Sequence, residues 1–313
     1  MLSVVVNFYN NRREAKNTLH SLSRAYQRGA GEFEVLAIDH GSTLPLAEPD
    51  VRAFGAEFSY RFVATDAVSP VAAINAACRE ARGDKLLVLI DGAHILSPGV
   101  YALAERSFAQ FSSPFLAVAS FHLGPKQQNL SMLEGYNQQI EDEMLARSGW
   151  RDNGYRLHSI SGSFADGSLG WFGAVLETGC FGMRKSDFIS LGGFDERFVS
   201  RGGGLVNLDI YQRALARRDL EYVMLLGESS FHQFHGGVAT NAPKAAHPWE
   251  EFHVEYQRIR GRPFERVPRR PFYFGTIADE AIAPVRYSAE HGLDVWLKLA
   301  AAMKPRQSVP TKK

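Results

Sequence analysis

Three short stretches of this 313-residue chain hold side chains that could do chemistry together. Asp39 closes the apolar run 33–38 and is followed by His40, Gly41, Ser42 and Thr43. A carboxylate fixed at a strand end, beside a glycine that permits a tight turn, can accept hydrogen bonds from a nucleobase edge or a ribose. It can equally cap the turn or the next helix. Asp91 closes a still more apolar run, 86–90. There it offers a rigidly held oxygen to a hard divalent cation, with His94 near enough to join it or to touch a phosphate. The plainer reading is a solvated loop aspartate. The third stretch is Phe231-His-Gln-Phe-His-Gly-Gly237. Strand alternation puts His232 and Phe234 on one face and Phe231, Gln233 and His235 on the other, so the two histidines are not expected to act together. One of them is a ligand candidate; the alternative is a structural histidine. A zinc site is the weaker idea, because no cysteine accompanies the group and its spacing is loose.

The elements that must position these residues follow a repeating pattern. Residues 2–6, 33–38 and 85–90 are apolar on both faces, while 17–26 and 72–81 have helical spacing. Buried strands separated by helices predict a parallel sheet covered on each side, and ligands of such sheets bind beyond the carboxyl ends of the strands. The polar residues cluster at those ends. Residues 127–148 are polar and helix-like, and 159–170, rich in Gly and Ser, predict loops facing a substrate. Order returns over 173–183, a short helix over 186–191 and a helix over 208–217. Residues 243–248 read as a linker, 249–259 as an amphipathic helix and 262–271 as an extended basic stretch.

Composition narrows the classes. With 35 Lys and Arg against 34 Asp and Glu, the chain lacks the basic surface that coats nucleic acid. No signal peptide is expected at the N-terminus, and the apolar runs are far shorter than the roughly 20 residues of a membrane helix. A cytoplasmic protein is expected. Cys78 and Cys180, about a hundred residues apart, read as buried free thiols.

Six motifs in order carry a family resemblance. Ser3-Val-Val-Val-Asn-Phe-Tyr-Asn10, Ile38-Asp-His-Gly-Ser-Thr43, the helix from Asn75 to Ala81-Arg-Gly-Asp84, Ile90-Asp-Gly-Ala-His-Ile-Leu-Ser-Pro-Gly99, Gly179-Cys-Phe-Gly-Met-Arg-Lys185 and Leu191-Gly-Gly-Phe-Asp-Glu-Arg-Phe198 together resemble family 2 glycosyltransferases of the GT-A fold. The resemblance covers about residues 1–237. It implies a mixed, mainly parallel α/β sheet with helices on both faces in 1–237, and a helical and extended C-terminal appendage in 238–313. It also implies a hexosyltransferase-type, inverting transfer of sugar from a nucleoside-diphosphate donor to a hydroxyl acceptor in glycan or glycoconjugate biosynthesis. Phe8, Tyr9, Asp39, Asn75 and Asp91 are then the donor-binding set, and Asp91, His94 and His235 the ligands of Mn or Mg.

Departures from the pattern concern the catalytic residues. Ala93 replaces the second Asp of the metal-binding Asp-x-Asp, and Ile74 stands near the position of a helix Arg that often faces the phosphates. The block Gly204-Leu-Val-Asn-Leu-Asp-Ile-Tyr-Gln-Arg213, registered on Asp209 and Arg213, puts Asn207 where the catalytic Asp is expected. An amide is no base at neutral pH. Asp209 or Glu177 is then the candidate base, unless Asp209 only complements a helix dipole. A protein that binds the donor without turning it over, serving as a scaffold, is the alternative function. Beyond residue 243 there are 13 Lys and Arg against 8 Asp and Glu, whereas residues 1–243 hold 22 against 26. The basic residues Arg258, Arg260, Arg262, Arg266, Arg269 and Arg270, interleaved with Phe264, predict either a solvated face or a surface for a phosphate-bearing acceptor or the headgroups of a membrane touched peripherally.

Overall fold

The structure, a computed structural model, describes residues 1–163, 169–237, 241 and 247–302. Its strands are β1 (Leu2–Phe8), β2 (Phe33–His40), β3 (Phe58–Val63), β4 (Lys85–Leu89), β5 (His94–Leu96), β6 (Pro114–Leu123), β7 (Ser161–Ser163), β8 (Cys180–Arg184), β9 (Glu221–His232) and β10 (Phe272–Gly275). The helices are α1 (Arg12–Leu22), α2 (Glu48–Arg52), α3 (Val71–Glu80), α4 (Val100–Gln110), α5 (Gln128–Ser131), α6 (Gln138–Ser148), α7 (Lys185–Ser190), α8 (Val206–Ala216), α9 (Trp249–Arg260) and α10 (Ile282–Ala302). Part of the linker read at 243–248, and part of the loop read at 159–170, lie outside the described residues.

The sheet order is β10-β9-β6-β8-β4-β1-β2-β3, with β5 paired to β9 and β7 to β6. β3, β2, β1 and β4 are parallel, β8 runs against β4 and β6, and β9 is parallel to β6. This is the mixed, mainly parallel α/β sheet expected. Every residue of β1 is buried: Val5 faces one apolar cluster, and Leu2, Val4, Val6 and Phe8 face the other, so side chains on both faces leave water. Cys78 and Cys180 are free and buried, and burial raises both thiols, Cys78 to about 12. Among the described residues no helix is long and apolar enough to cross a membrane.

Register determines what meets at the carboxyl ends. Phe8 pairs with Asp39, and Val6 with Leu89, so the ends of β1, β2 and β4 lie side by side. β9 shifts register against β6 where Ala117 opposes Met224 and Ala119 opposes Ser229, a discontinuity that includes Gly227. Its last residues then run between β5 and β6, and His232 is paired with His94 on one side and His122 on the other.

The C-terminal segment, helical and extended as expected, packs on the sheet. β10 adds a parallel edge strand beside β9, and Phe252 and Tyr256 of α9 are buried in the apolar cluster of the sheet. Trp296 of α10 donates to the Phe172 carbonyl at 3.1 Å. Much of the basic run ties this segment down instead of facing a partner. Arg260 donates to both oxygens of Asp209 at 2.6 Å and pairs with Asp195 at 2.9 Å. Arg269 donates to the carbonyls of Leu215, Arg217 and Leu220, and Arg262 pairs with Glu265.

Two predictions follow from burial. Asp209, 1% exposed and paired with Arg213 and Arg260, joins α8 to α9. Asp209→Ala takes the only paired carboxylate from Arg213 among the described residues and leaves Arg260 with Asp195 alone, and should cost about 3 kcal/mol, read as a lowered urea midpoint; an unchanged midpoint contradicts the assignment. His158 has neither ring nitrogen bonded and packs on Phe121, Trp171 and Phe231. Burial lowers its pKa to about 3, so the folded state keeps it neutral while the unfolded chain takes up a proton below about 6.5. This group therefore costs stability as pH falls below that value. The stability of His158→Phe relative to the parent should rise steadily between pH 7 and pH 5, and a difference that does not change with pH contradicts it.

Candidate functional site

Asp91 follows the end of β4 by two residues. Its turn is fixed from beneath. Gly92 has no side chain because a Cβ there would overlap the Phe8 ring, and its carbonyl accepts from Thr18 Oγ1 at 2.7 Å. The backbone N–H of Ala93 donates to Asp91 Oδ1 at 3.0 Å. Oδ2 is thereby turned toward two imidazoles, 3.1 Å from His235 Nε2 and 3.5 Å from His232 Nε2. Enclosure alone would raise the Asp91 pKa, but the adjoining His235 holds it well below the usual carboxylate range. It is an anion at neutral pH.

His232 and His235 act on the same carboxylate, contrary to the alternation expected of them. β9 ends at His232, so the period of two ends there, and the turn through 233–235 brings His235 Nε2 to 3.2 Å from His232 Nε2. His94 stands edge-on to His232, with ring centroids 5.0 Å apart, and its buried Nδ1 has no hydrogen-bond partner among the described residues. Asp91, His94 and His232 each bring a ligand atom within 4.8 Å of the others. Burial lowers the pKa of His94 to about 3 and that of His232 to about 4. For His235 burial acts in the same direction, but Asp91 outweighs it and the net shift is upward. A carboxylate oxygen among imidazoles, of which burial keeps His94 and His232 neutral, fits a divalent cation, and His94 Nδ1, unpartnered among the described residues, is a further ligand candidate.

A second layer holds the cluster. Gln128, at the start of α5 and fully buried, donates through Nε2 to the His232 carbonyl at 2.9 Å and to the Leu123 carbonyl at 3.3 Å. Its Oε1 therefore faces His232 Nδ1, at 2.9 Å, and also accepts from Asn241. Glu141 of α6 accepts from the Phe234 N–H, the Tyr136 hydroxyl and Arg13, fixing the turn between the histidines. Burial raises the Glu141 pKa, and these donors and the Arg13 charge draw it back. Asn241 Oδ1 accepts from three successive N–H groups, of His235, Gly236 and Gly237. Asn11 faces His235 Nδ1 at 3.2 Å.

The other residues singled out by sequence divide. Asp39 is 1% exposed: Oδ2 accepts from the Leu46 N–H at 2.7 Å and from the Tyr60 hydroxyl at 3.2 Å, while Oδ1 is buried without a partner. It caps the turn with one oxygen and keeps the other. Tyr9 is half exposed, but Phe8 is fully buried beneath Gly92, so its role is packing and not base contact. Asn75 is likewise corrected. Its amide bonds both the N–H and the carbonyl of Phe194, clamping α3 to the Gly-Gly-Phe turn. Asp209, enclosed by its two arginines, is no open base. Asn207 donates to Glu177 Oε2 at 2.8 Å and to the Thr178 carbonyl at 3.1 Å. Glu177 therefore stands beside the position where a catalytic carboxylate was expected, and two residues further on Gly179 passes so close to His94 that a Cβ would overlap its ring. Sequence reasoning chose His235 over His232 for the ligand set, and did not single out Gln128, His122 or Glu141. The only local signal was the proximity of His232 to His235.

Comparisons with known proteins bear on the fold. No curated protein matches the sequence. Among solved structures the chain is similar to S. aureus TarS, with 15% identity, a TM-score of 0.50, and coverage of 84% of this chain and 40% of TarS. A TarS 1–349 structure in complex with UDP has 15% identity and a TM-score of 0.48 over 75% of this chain and 61% of that one. The mannosyltransferase PcManGT from Pyrobaculum calidifontis, in complex with GDP-Man and Mn2+, has 13% identity and a TM-score of 0.48 over 97% and 76%. The chain thus spans between two fifths and about three fifths of the two TarS chains. The model of glycosyl transferase family 2 matches residues 3–119, from the start of β1 into β6 and so through Asp39, Asp91 and His94. The model therefore matches rather more than a third of the chain, and the mixed α/β sheet that carries this segment is similar to that of TarS.

Proposed function

We propose that the protein transfers a sugar from a nucleoside diphosphate to a hydroxyl acceptor, with inversion at the anomeric carbon, and that a divalent cation, Mn or Mg, assists. The observation that carries this reading is the anionic Asp91 carboxylate, set among imidazoles where the parallel strands of the segment matching the family 2 model end. Asp91, His232 and His235, with His94 beside them, would hold the cation. When bound, it neutralises charge building on the departing diphosphate. Asp39 Oδ1, buried and unpartnered among the described residues, suits a donor N–H or O–H on the nucleoside, and the exposed Tyr9 ring suits stacking on the base. A UDP-sugar is the first donor to test.

The chain must also supply the proton acceptor. With Asn207 in the expected position and Asp209 neutralised by Arg213 and Arg260, Glu177 is the carboxylate for that task. In the transfer the acceptor oxygen bonds to the anomeric carbon, the bond from that carbon to the phosphate oxygen breaks, and the hydroxyl proton passes to Glu177. Asn207, donating to Glu177 Oε2, orients it. The acceptor class we propose is a glycan, a lipid-linked sugar or a small hydroxylated molecule, with the reaction at the cytoplasmic face of a membrane touched only peripherally.

Calorimetry with UDP-sugars and GDP-sugars, with and without Mn or Mg, followed by transfer and donor-hydrolysis assays, tests this. Asp91→Ala should lose metal-dependent donor binding, and Glu177→Gln should lower kcat by about 10²–10⁴ with donor affinity kept. Absence of both binding and turnover across the panel overturns the reading; binding without turnover replaces it with a donor-binding scaffold.

A further inference from the structure

The cation site differs from an oxygen-ligand site in a way that predicts its selectivity. Ala93 supplies no second carboxylate, and the donors beside Asp91 are nitrogens. Asp91 Oδ2, His232 Nε2 and His235 Nε2 form a triangle with edges of 3.1, 3.2 and 3.5 Å. Ligands about 2.0–2.1 Å from one tetrahedral ion lie about 3.3–3.4 Å apart, so the three atoms already have a metal-like spacing. Asp91 keeps 29% and His235 15% of its side-chain surface exposed while His232 keeps 3%, so solvent reaches the triangle at Asp91 and His235.

A histidine is a ligand only through a nitrogen that carries no proton, and here the choice of nitrogen is made by a residue outside every recognised motif. Gln128 Nε2 is committed to the carbonyls of His232 and Leu123, which leaves Oε1 toward His232 Nδ1. An amide oxygen can only accept. His232 therefore carries its proton on Nδ1 and presents the Nε2 lone pair to Asp91 and His235. Asn241 Nδ2, donating to the same Oε1 at 2.9 Å, closes off the reverse amide orientation.

We propose that Gln128 is the positioning residue that sets His232 as a nitrogen ligand, and that the resulting two-imidazole, one-carboxylate set takes a late first-row transition ion in strong preference to magnesium. Imidazole suits Co, Ni and Zn, whereas Mg demands oxygen ligands and keeps its waters. His235 would ligate through Nε2, the atom that faces Asp91 and His232. The inference rests on the reading of this cluster as the cation site, but not on sugar transfer.

The test uses the full chain, without nucleotide. Calorimetric titration with CoCl2, ZnCl2 and MgCl2, with Co(II) d–d absorption as a second signal, should give at least ~100-fold tighter binding of Co and Zn than of Mg. His232→Ala should weaken Co binding by at least tenfold, and Gln128→Met by about 10–100-fold, with little effect on Mg. Equal affinities for Co and Mg, or Co binding unchanged in His232→Ala, overturn the proposal. Because Gln128→Met alters a buried hydrogen-bond set, the parent protein supplies an independent arm: imidazole 15N spectra of the metal-free form should assign His232 as the Nδ1–H tautomer, and an Nε2–H assignment overturns it. Tight Co binding without any sugar transfer removes the function proposed above and leaves this inference standing; transfer supported equally by Mg does the reverse.

Discussion

The Asp91 carboxylate held between two imidazoles is the interaction on which the arrangement of this end of the sheet depends. A partly enclosed anion is costly unless it is paired, and the groups set against it come from a distant part of the chain. Asp91 sits just beyond β4; His232 and His235 come from the end of β9, about 140 residues later. Gly92 on Phe8, Thr18 on the Gly92 carbonyl, and Gln128, Glu141 and Asn241 on the histidine turn all act to keep that meeting in place. The register shift in β9 is part of the same constraint, because after it His232 is the residue aligned with both His94 and His122.

How much of this could be read from sequence follows from where the information lies. The strands β1, β2 and β4 were legible because each is a short apolar run closed by a polar residue, and Asp39 and Asp91 were legible for the same reason. The pairing of His232 with His235 was not. It depends on β9 ending at His232, and the local pattern Phe231-His-Gln-Phe-His continues to alternate past that point. Phe8, Asn75 and Asp209 carry the residue types expected of a donor site or a base, but a residue type does not tell whether a partner will bury it. Phe8 is covered by Gly92, Asn75 by Phe194 and Asp209 by two arginines. Gln128 had no signal at all, since a lone glutamine in a polar segment becomes informative only when a histidine ring is found against it.

The C-terminal segment teaches a related lesson about charge. Its excess of basic residues suggested a surface for an anionic partner. Arg260 and Arg269 neutralise an internal carboxylate and satisfy the carbonyls near the end of α8, while β10 joins the sheet through its own pairing with β9. The same ion pair removes Asp209 from consideration as a base and leaves Glu177, held by Asn207, as the carboxylate nearest the expected position.

The central claim is that Asp91, His232 and His235 together bind one cation. Anomalous diffraction from a crystal of the protein soaked in cobalt, recorded on both sides of the metal edge, tests it most directly. The account predicts a single strong peak about 2.0–2.2 Å from Asp91 Oδ2, His232 Nε2 and His235 Nε2. A peak bound to Asp91 with neither imidazole, or no peak at the carboxyl end of β4 at saturating cobalt, would contradict it.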